Sequence, residues 1–227
     1  MKKLAITLLV LALSAGAVYA ANPVRISQIY GAGGNSGSIW NADYVELFND
    51  SSADVDMSGW SLQYGSATGT TPMGSCTNCL VVFPAGTVIR SCQYFLVRGS
   101  TGTAGAPLPV TPDLLSSVAM SATAGKIGVK ADTLFTPVVP CNPALFVDMV
   151  GYGTTANCFE GTGAAPAPST TLADWRGVDG ITDTDNNSFD FTTAAPLPRN
   201  STSPANPNCH PVAVDPSSWG QVKATYR

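Results

Sequence analysis

Charge is scarce in this chain. Of its 227 residues only 11% are Asp, Glu, Lys or Arg, and His210 is the single histidine. Acidic residues outnumber Lys and Arg by 15 to 11, for a formal net charge of −4. Beyond the first three residues the cations fall singly, with no cluster able to neutralise several phosphates, which disfavours nucleic-acid binding through the backbone. No Gly-x-Ser-x-Gly elbow and no His-Glu-x-x-His helix motif occurs, so neither a serine hydrolase nor a zinc protease has a local signature. No window sustains a 3.6-residue apolar period, no internal repeat is present, and no apolar run is long enough to span a membrane.

What is present begins with a leader. Lys2 and Lys3 precede a short apolar run over residues 4–13, and Val18-Tyr19-Ala20 places small residues at the cleavage end. Residues 1–20 therefore read as a Sec-type signal peptide cut after Ala20, which makes the mature protein secreted or periplasmic. Ala21 rather than Cys follows the cut, so no lipid anchor is indicated. Loss of Lys2 and Lys3 moves the formal net charge from −4 to −6.

Six cysteines follow the leader: Cys76, Cys79, Cys92, Cys141, Cys158 and Cys209. An even number in an exported chain reads as three disulfides. Cys76-x-x-Cys79 could instead be a redox pair or half a zinc site. A thioredoxin-type pair opens a helix in a βαβ unit, whereas Cys79 leads into Leu80-Val81-Val82-Phe83, a strand-like run. Zinc would require two further nitrogen or sulfur ligands.

Short alternating segments carry the fold. Residues 24–30, 44–48, 60–64, 80–83, 93–98, 126–130 and 146–153 read as strands separated by Gly, Pro, Asn and Ser, which is the pattern of a β-sandwich. Tyr44, Glu46 and Phe48 share one face and Val45 and Leu47 the other, because strand side chains alternate with period 2. Asp43 and Glu46 then face opposite sides and cannot act as a local carboxylate pair. Gly31 to Gly37 follows a strand without opening a helix, so it reads as a flexible loop rather than a phosphate cradle. Residues 99–112 read as irregular, and 114–120 as either a helical turn or a short extended piece.

Ile26-Ser27-Gln28-Ile29-Tyr30-Gly31, then Asp43 to Asn49, then Val55-Asp56-Met57-Ser58-Gly59-Trp60 resemble the opening of the bacterial lamin tail domain family. Phe83-Pro84-Ala85-Gly86-Thr87-Val88-Ile89, Gln93-Tyr94-Phe95-Leu96-Val97 and Phe146-Val147-Asp148-Met149-Val150-Gly151-Tyr152-Gly153 continue the resemblance in family order. It implies an all-β, immunoglobulin-like sandwich over residues 21–155. Residues 156–227 would form an irregular C-terminal extension, packed on by Leu172, Trp175, Phe189 and Phe191 and ending in a loosely held tail anchored through Cys209 and Trp219. The resemblance also implies a bond between Cys141 and Cys158, since it places a Cys at both ends of the strand over 146–153. Cys76, Cys79, Cys92 and Cys209 then fill two more bridges. Three pairings are open, and a bond from Cys92 to a loop cysteine is preferred because Cys92 opens the adjacent strand.

Asp183-x-Asp185-x-Asn187 has the alternating oxygens of a calcium loop, but Ser188 stands where an EF-hand needs Gly and no Glu closes the loop. An Asx-rich turn is the preferred reading, with calcium held by Asp183, Asp185 and Asn187 as the alternative. No other cofactor is indicated. The function implied by the resemblance is a non-catalytic interaction or structural module whose partner is a protein or a cell-surface polymer. An accessory that binds extracellular DNA or a secreted nuclease or phosphatase in trans is the alternative. A hydrolase built from dispersed carboxylates is the weakest reading.

Overall fold

The structure, a computed structural model, describes residues 23–210. The leader, its cleavage point after Ala20 and the tail residue Trp219 lie outside the described residues. Within them, β1 (Val24–Tyr30), β2 (Ala42–Asn49) and β7 (Tyr94–Thr101) form the middle of a six-stranded sheet. β8 (Leu114–Leu115) joins one side of it, and β11 (Ala173–Arg176) and β12 (Phe191–Ala194) complete the order β12-β11-β1-β2-β7-β8. The facing sheet runs β10-β9-β4-β5, from β4 (Ser61–Ser66), β5 (Leu80–Val82), β9 (Gly125–Lys130) and β10 (Asp148–Tyr152). A small ladder of β3 (Val55–Asp56) and β6 (Val88–Ile89) closes one end. The chain is thus an all-β sandwich, as its alternating segments predict.

The alternation of β2 divides its side chains as expected. Val45 and Leu47 enter the inter-sheet core with Ile26, Ile29, Phe95, Val97, Leu62, Ile127, Val129 and Val150. Tyr44 and Phe48 point outward, where Tyr30 and Tyr94 stack against them at 5.6 and 5.1 Å between ring centroids. A bulge between Ile26 and Gln28 shifts the β1–β2 register, and Ser27 there donates to the Glu46 carboxylate at 2.6 Å.

Several expectations are corrected. The glycine loop over 31–37 has a packed base: a side chain on Gly33 would meet the Ala42 backbone at 1.8 Å, and the Gly33 amide donates to Asp43 Oδ1 at 2.9 Å. Of residues 114–120, left open between a helical turn and an extended piece, Leu114–Leu115 form β8, parallel to β7. The segment after residue 155 is more regular than expected, because β11 pairs with β1 inside the main sheet. Of its four proposed anchors, Phe191 is buried and Trp175 half-buried, whereas Leu172 and Phe189 are exposed. Leu172 precedes β11, and Phe189 lies in a helical turn, Asn187–Asp190, whose inward residues are Asn187 and Asp190.

The six cysteines form three disulfides. Cys141 is bonded to Cys158 with Cα atoms 5.2 Å apart. Cys92 is bonded not to a loop cysteine but to Cys209, 117 residues on, and Cys76 closes on Cys79. The preferred pairing fails because Cys92 sits at the β2–β7 end of the main sheet, its amide on Asn49 O, whereas Cys79 leads into β5 of the other sheet. No helix among the described residues is long and apolar enough to cross a membrane.

Candidate functional site

Of the three calcium candidates, Asp183 and Asn187 are engaged elsewhere and Asp185 is exposed. Arg176, fully buried at the end of β11, donates to both oxygens of Asp148 at 2.9 and 2.8 Å and to Asp183 at 3.2 Å. It also lies 3.5 Å from Asp190 and stacks over Phe191 at 4.7 Å. Arg25 takes the other Asp183 oxygen at 3.0 Å. Burial opposes the charge on Arg176, but Asp148, Asp183, Glu160 and Asp190 together hold its pKa above the ordinary value. Burial, reinforced by Asp148, pushes the Glu160 carboxyl well above the ordinary range. Asn187 is committed to the body of the fold: its Oδ1 accepts from the amides of Gly151 at 2.9 Å and Glu160 at 3.1 Å, and its Nδ2 donates to Met149 O at 3.1 Å. Asp185 is exposed, at φ 53°. In this arrangement the guanidinium of Arg176 sits among the carboxylates of Asp148, Asp183 and Asp190.

The two acids of the second segment do part company, as alternation requires. Asp43 accepts from the amides of Gly33 and Met120 and from Ser100 Oγ at 2.8 to 3.0 Å. Burial still lifts its pKa to about 6. Glu46 faces the opposite side, fully buried, and takes the Arg199 guanidinium at 2.7 Å and the Arg199 amide at 2.6 Å.

Arg199 belongs to a strap over residues 195–203 that crosses the outer face of the main sheet. Trp40 Nε1 donates to Pro196 O at 3.0 Å, and Gln28 pairs reciprocally with the Leu197 backbone at 3.0 and 3.1 Å. Arg199 lies 3.8 Å over the Tyr94 ring. Asp113 receives the Ser201 amide at 3.0 Å, and Gln93 donates to Ser201 O and Ser203 O at 2.8 and 2.7 Å. Sheet side chains therefore satisfy backbone groups that a strap outside the ladder would leave unpaired.

His210, exposed and seven residues past the strap, lies 3.2 Å from Asp50 O. Its ring, Cys209 Sγ and the Asp50 carboxylate gather within 4.8 Å of one another. Cys209 is spent in its disulfide, and Asp50 is paired with Arg25 at 2.5 Å, so the group is not a ready metal set.

Beyond the strap, at the β7–β8 side of the same face, lies an open groove of about 410 Å³. Leu108, Pro109 and Val110 form an apolar wall, and Asn41, Arg98 and Thr101 supply its polar groups. Arg98 points outward from β7 because Val97 and Phe95 take the core positions. Its Nε is buried with no hydrogen-bond partner. Sequence reasoning did not single out this groove. Its one signal is an arginine within the apolar strand Tyr94-Phe95-Leu96-Val97-Arg98, followed by the proline-rich run 107–112.

A DUF4876 family protein from Bacteroides thetaiotaomicron, known from a crystal structure, superimposes with a TM-score of 0.49 at 11% identity, over 82% of this chain and 74% of that chain. No curated protein matches the chain. The family model described as Lamin Tail Domain matches residues 17–153. With more than half its length so matched, the chain belongs to the Lamin Tail Domain family.

Proposed function

We propose that this protein is an exported, non-catalytic interaction module whose partner is a protein or a cell-surface polymer. One contrast carries the reading. Several charged groups that could do chemistry are consumed in structural pairs, among them Asp148 with Arg176 and Glu46 with Arg199, and the unpaired acid Asp174 is buried away from any cleft. The polar side chains at Arg98, Asn41 and Thr101 line an open groove instead. A hydrolytic site needs an acid or nucleophile presented to a cleft with a partner in reach. Export is supported by the leader's composition and by three disulfides, which suit an oxidising compartment. The acidic balance, with Arg25, Arg176 and Arg199 already tied to carboxylates, argues against DNA as the partner.

The test is paired. Purified mature protein is screened against nuclease, phosphatase, protease and glycosidase substrates, and immobilised protein is used to capture partners from native envelope and medium. The reading expects no turnover together with retained binding. Turnover that disappears when one carboxylate is changed would overturn it.

A further inference from the structure

The groove beside Arg98 holds a cation that no carboxylate among the described residues balances. Arg25, Arg176 and Arg199 each hold a carboxylate at 3.2 Å or less. Arg98 is also partly withdrawn from water, yet among the described residues it forms no ion pair and its side chain donates no hydrogen bond. The nearest acid in sequence, Asp113, is directed elsewhere: it accepts from the Leu96 amide at 2.7 Å, the Ser201 amide at 3.0 Å and Ser201 Oγ at 2.5 Å. A buried donor left without an acceptor costs free energy, and a guanidinium favours a planar two-oxygen anion.

We propose that this groove binds the C-terminal carboxylate of a partner peptide ending in an apolar residue. The carboxylate meets the Arg98 guanidinium, a charge that no acid among the described residues balances. The last side chain rests on Leu108, Pro109 and Val110, and a volume of about 410 Å³ accommodates a residue of leucine size with its neighbour. Asn41 and Thr101, whose side chains form no hydrogen bond among the described residues, are placed to meet the peptide's final amide groups. A free carboxylate could also come from a uronic-acid sugar. The groove offers no aromatic ring for a sugar face, and its aliphatic wall suits an apolar side chain better. The proposal rests on the reading of the protein as a binding module, and it names the chemistry that module would recognise.

The experiment uses the full mature chain and a fluorescein-labelled peptide, Gly-Ser-Ala-Leu with a free C-terminal carboxylate, read by fluorescence anisotropy. A second arm uses the same peptide as its C-terminal amide, and a third uses a labelled oligogalacturonate. The free-acid peptide should bind saturably, and the amide about tenfold or more weaker, because the charged hydrogen bonds are lost. Arg98→Gln should weaken the free acid to the level of the amide, with Arg98→Lys between them. Thermal melting of each variant checks its fold, and the acid–amide comparison on the unaltered protein does not depend on any variant. Equal binding of acid and amide, stronger binding of the oligogalacturonate, or no saturable binding of the free acid at millimolar concentration would each overturn the proposal. Failure here leaves the screen for turnover untouched, so loss of this ligand is distinguishable from loss of the module reading.

Discussion

The guanidinium of Arg176 and the carboxylate of Asp148 face each other through two hydrogen bonds of 2.9 and 2.8 Å, and both side chains are shut off from water. The pair joins β11 of the larger sheet to β10 of the smaller. Asp148 also accepts the Ile26 amide at 2.5 Å, and Arg176 donates to Ile26 O at 2.8 Å, so both reach the β-bulge of β1. A buried pair of this kind is costly to break from one side, because the survivor is left charged and dry.

Arg176→Met is therefore expected to destabilise the fold by about 3–5 kcal/mol. Pairing it with Asp148→Leu should recover part of that loss, since the stranded carboxylate is removed. Urea unfolding of the two single variants and the double variant measures the coupling. Additive losses would show that the two groups do not act as a pair.

Asp174 offers the opposite case. It lies on β11, fully buried, with neither oxygen hydrogen-bonded. Burial alone lifts its pKa from 3.8 to about 8. Because the folded state holds this proton more tightly than the unfolded chain, its contribution to stability is whole below pH 3.8 and is lost as pH rises through about 8. Asp174→Asn should flatten the fall in stability between pH 5 and pH 8, the difference amounting to about 1.4 kcal/mol or more, one pKa unit's worth. Parallel pH profiles for the two proteins would refute this.

The disulfide between Cys92 and Cys209 closes a loop of 117 residues and fastens the strap over 195–203. On the chain-entropy account such a loop is worth about 4.7 kcal/mol, and measured losses fall at about 2–5 kcal/mol. Replacing both cysteines by serine should lower stability within that range. Hydrogen exchange should rise first at the Leu197 and Arg199 amides, which Gln28 and Glu46 now hold. Unchanged exchange there would mean that the sheet side chains retain the strap without the bond.

Calcium is expected to leave the melting temperature where it is. Both Asp183 oxygens are paired with arginine, and Asn187 Oδ1 already accepts two backbone amides. Ligand that binds only the native state would raise the melting temperature. A rise in millimolar calcium but not in magnesium, abolished by Asp185→Ala, would restore the metal reading.

Much of the sandwich was legible because its signals are local. Tyr44 to Phe48 alternates within five residues, and Lys126-Ile127-Gly128-Val129-Lys130 does the same. What stayed hidden depends on distant segments meeting. Cys92 and Cys209 look unrelated until the strap returns over the sheet. Arg176 gives no sign in sequence that β11 will carry it beside Asp148. Arg98 was visible as a break in an apolar strand, but its lack of an acid follows from the path of residues 106–113. The spacing of Asp183, Asp185 and Asn187 gave a ligand pattern, yet spacing cannot tell whether an arginine already occupies the centre.

The placement of β11 bears on where this domain can be cut. The family match closes at residue 153, after β10, but the neighbour of β1 in the sheet arrives twenty residues later. A fragment trimmed to the match would turn β1, six of whose seven residues are buried, into an open rim of unpaired amides and carbonyls. Such a rim recruits strands from other chains. Asp148 would lose its only arginine in the same stroke. The trimmed piece would therefore be expected to form aggregates, with β11 the clasp that closes this side of the sheet.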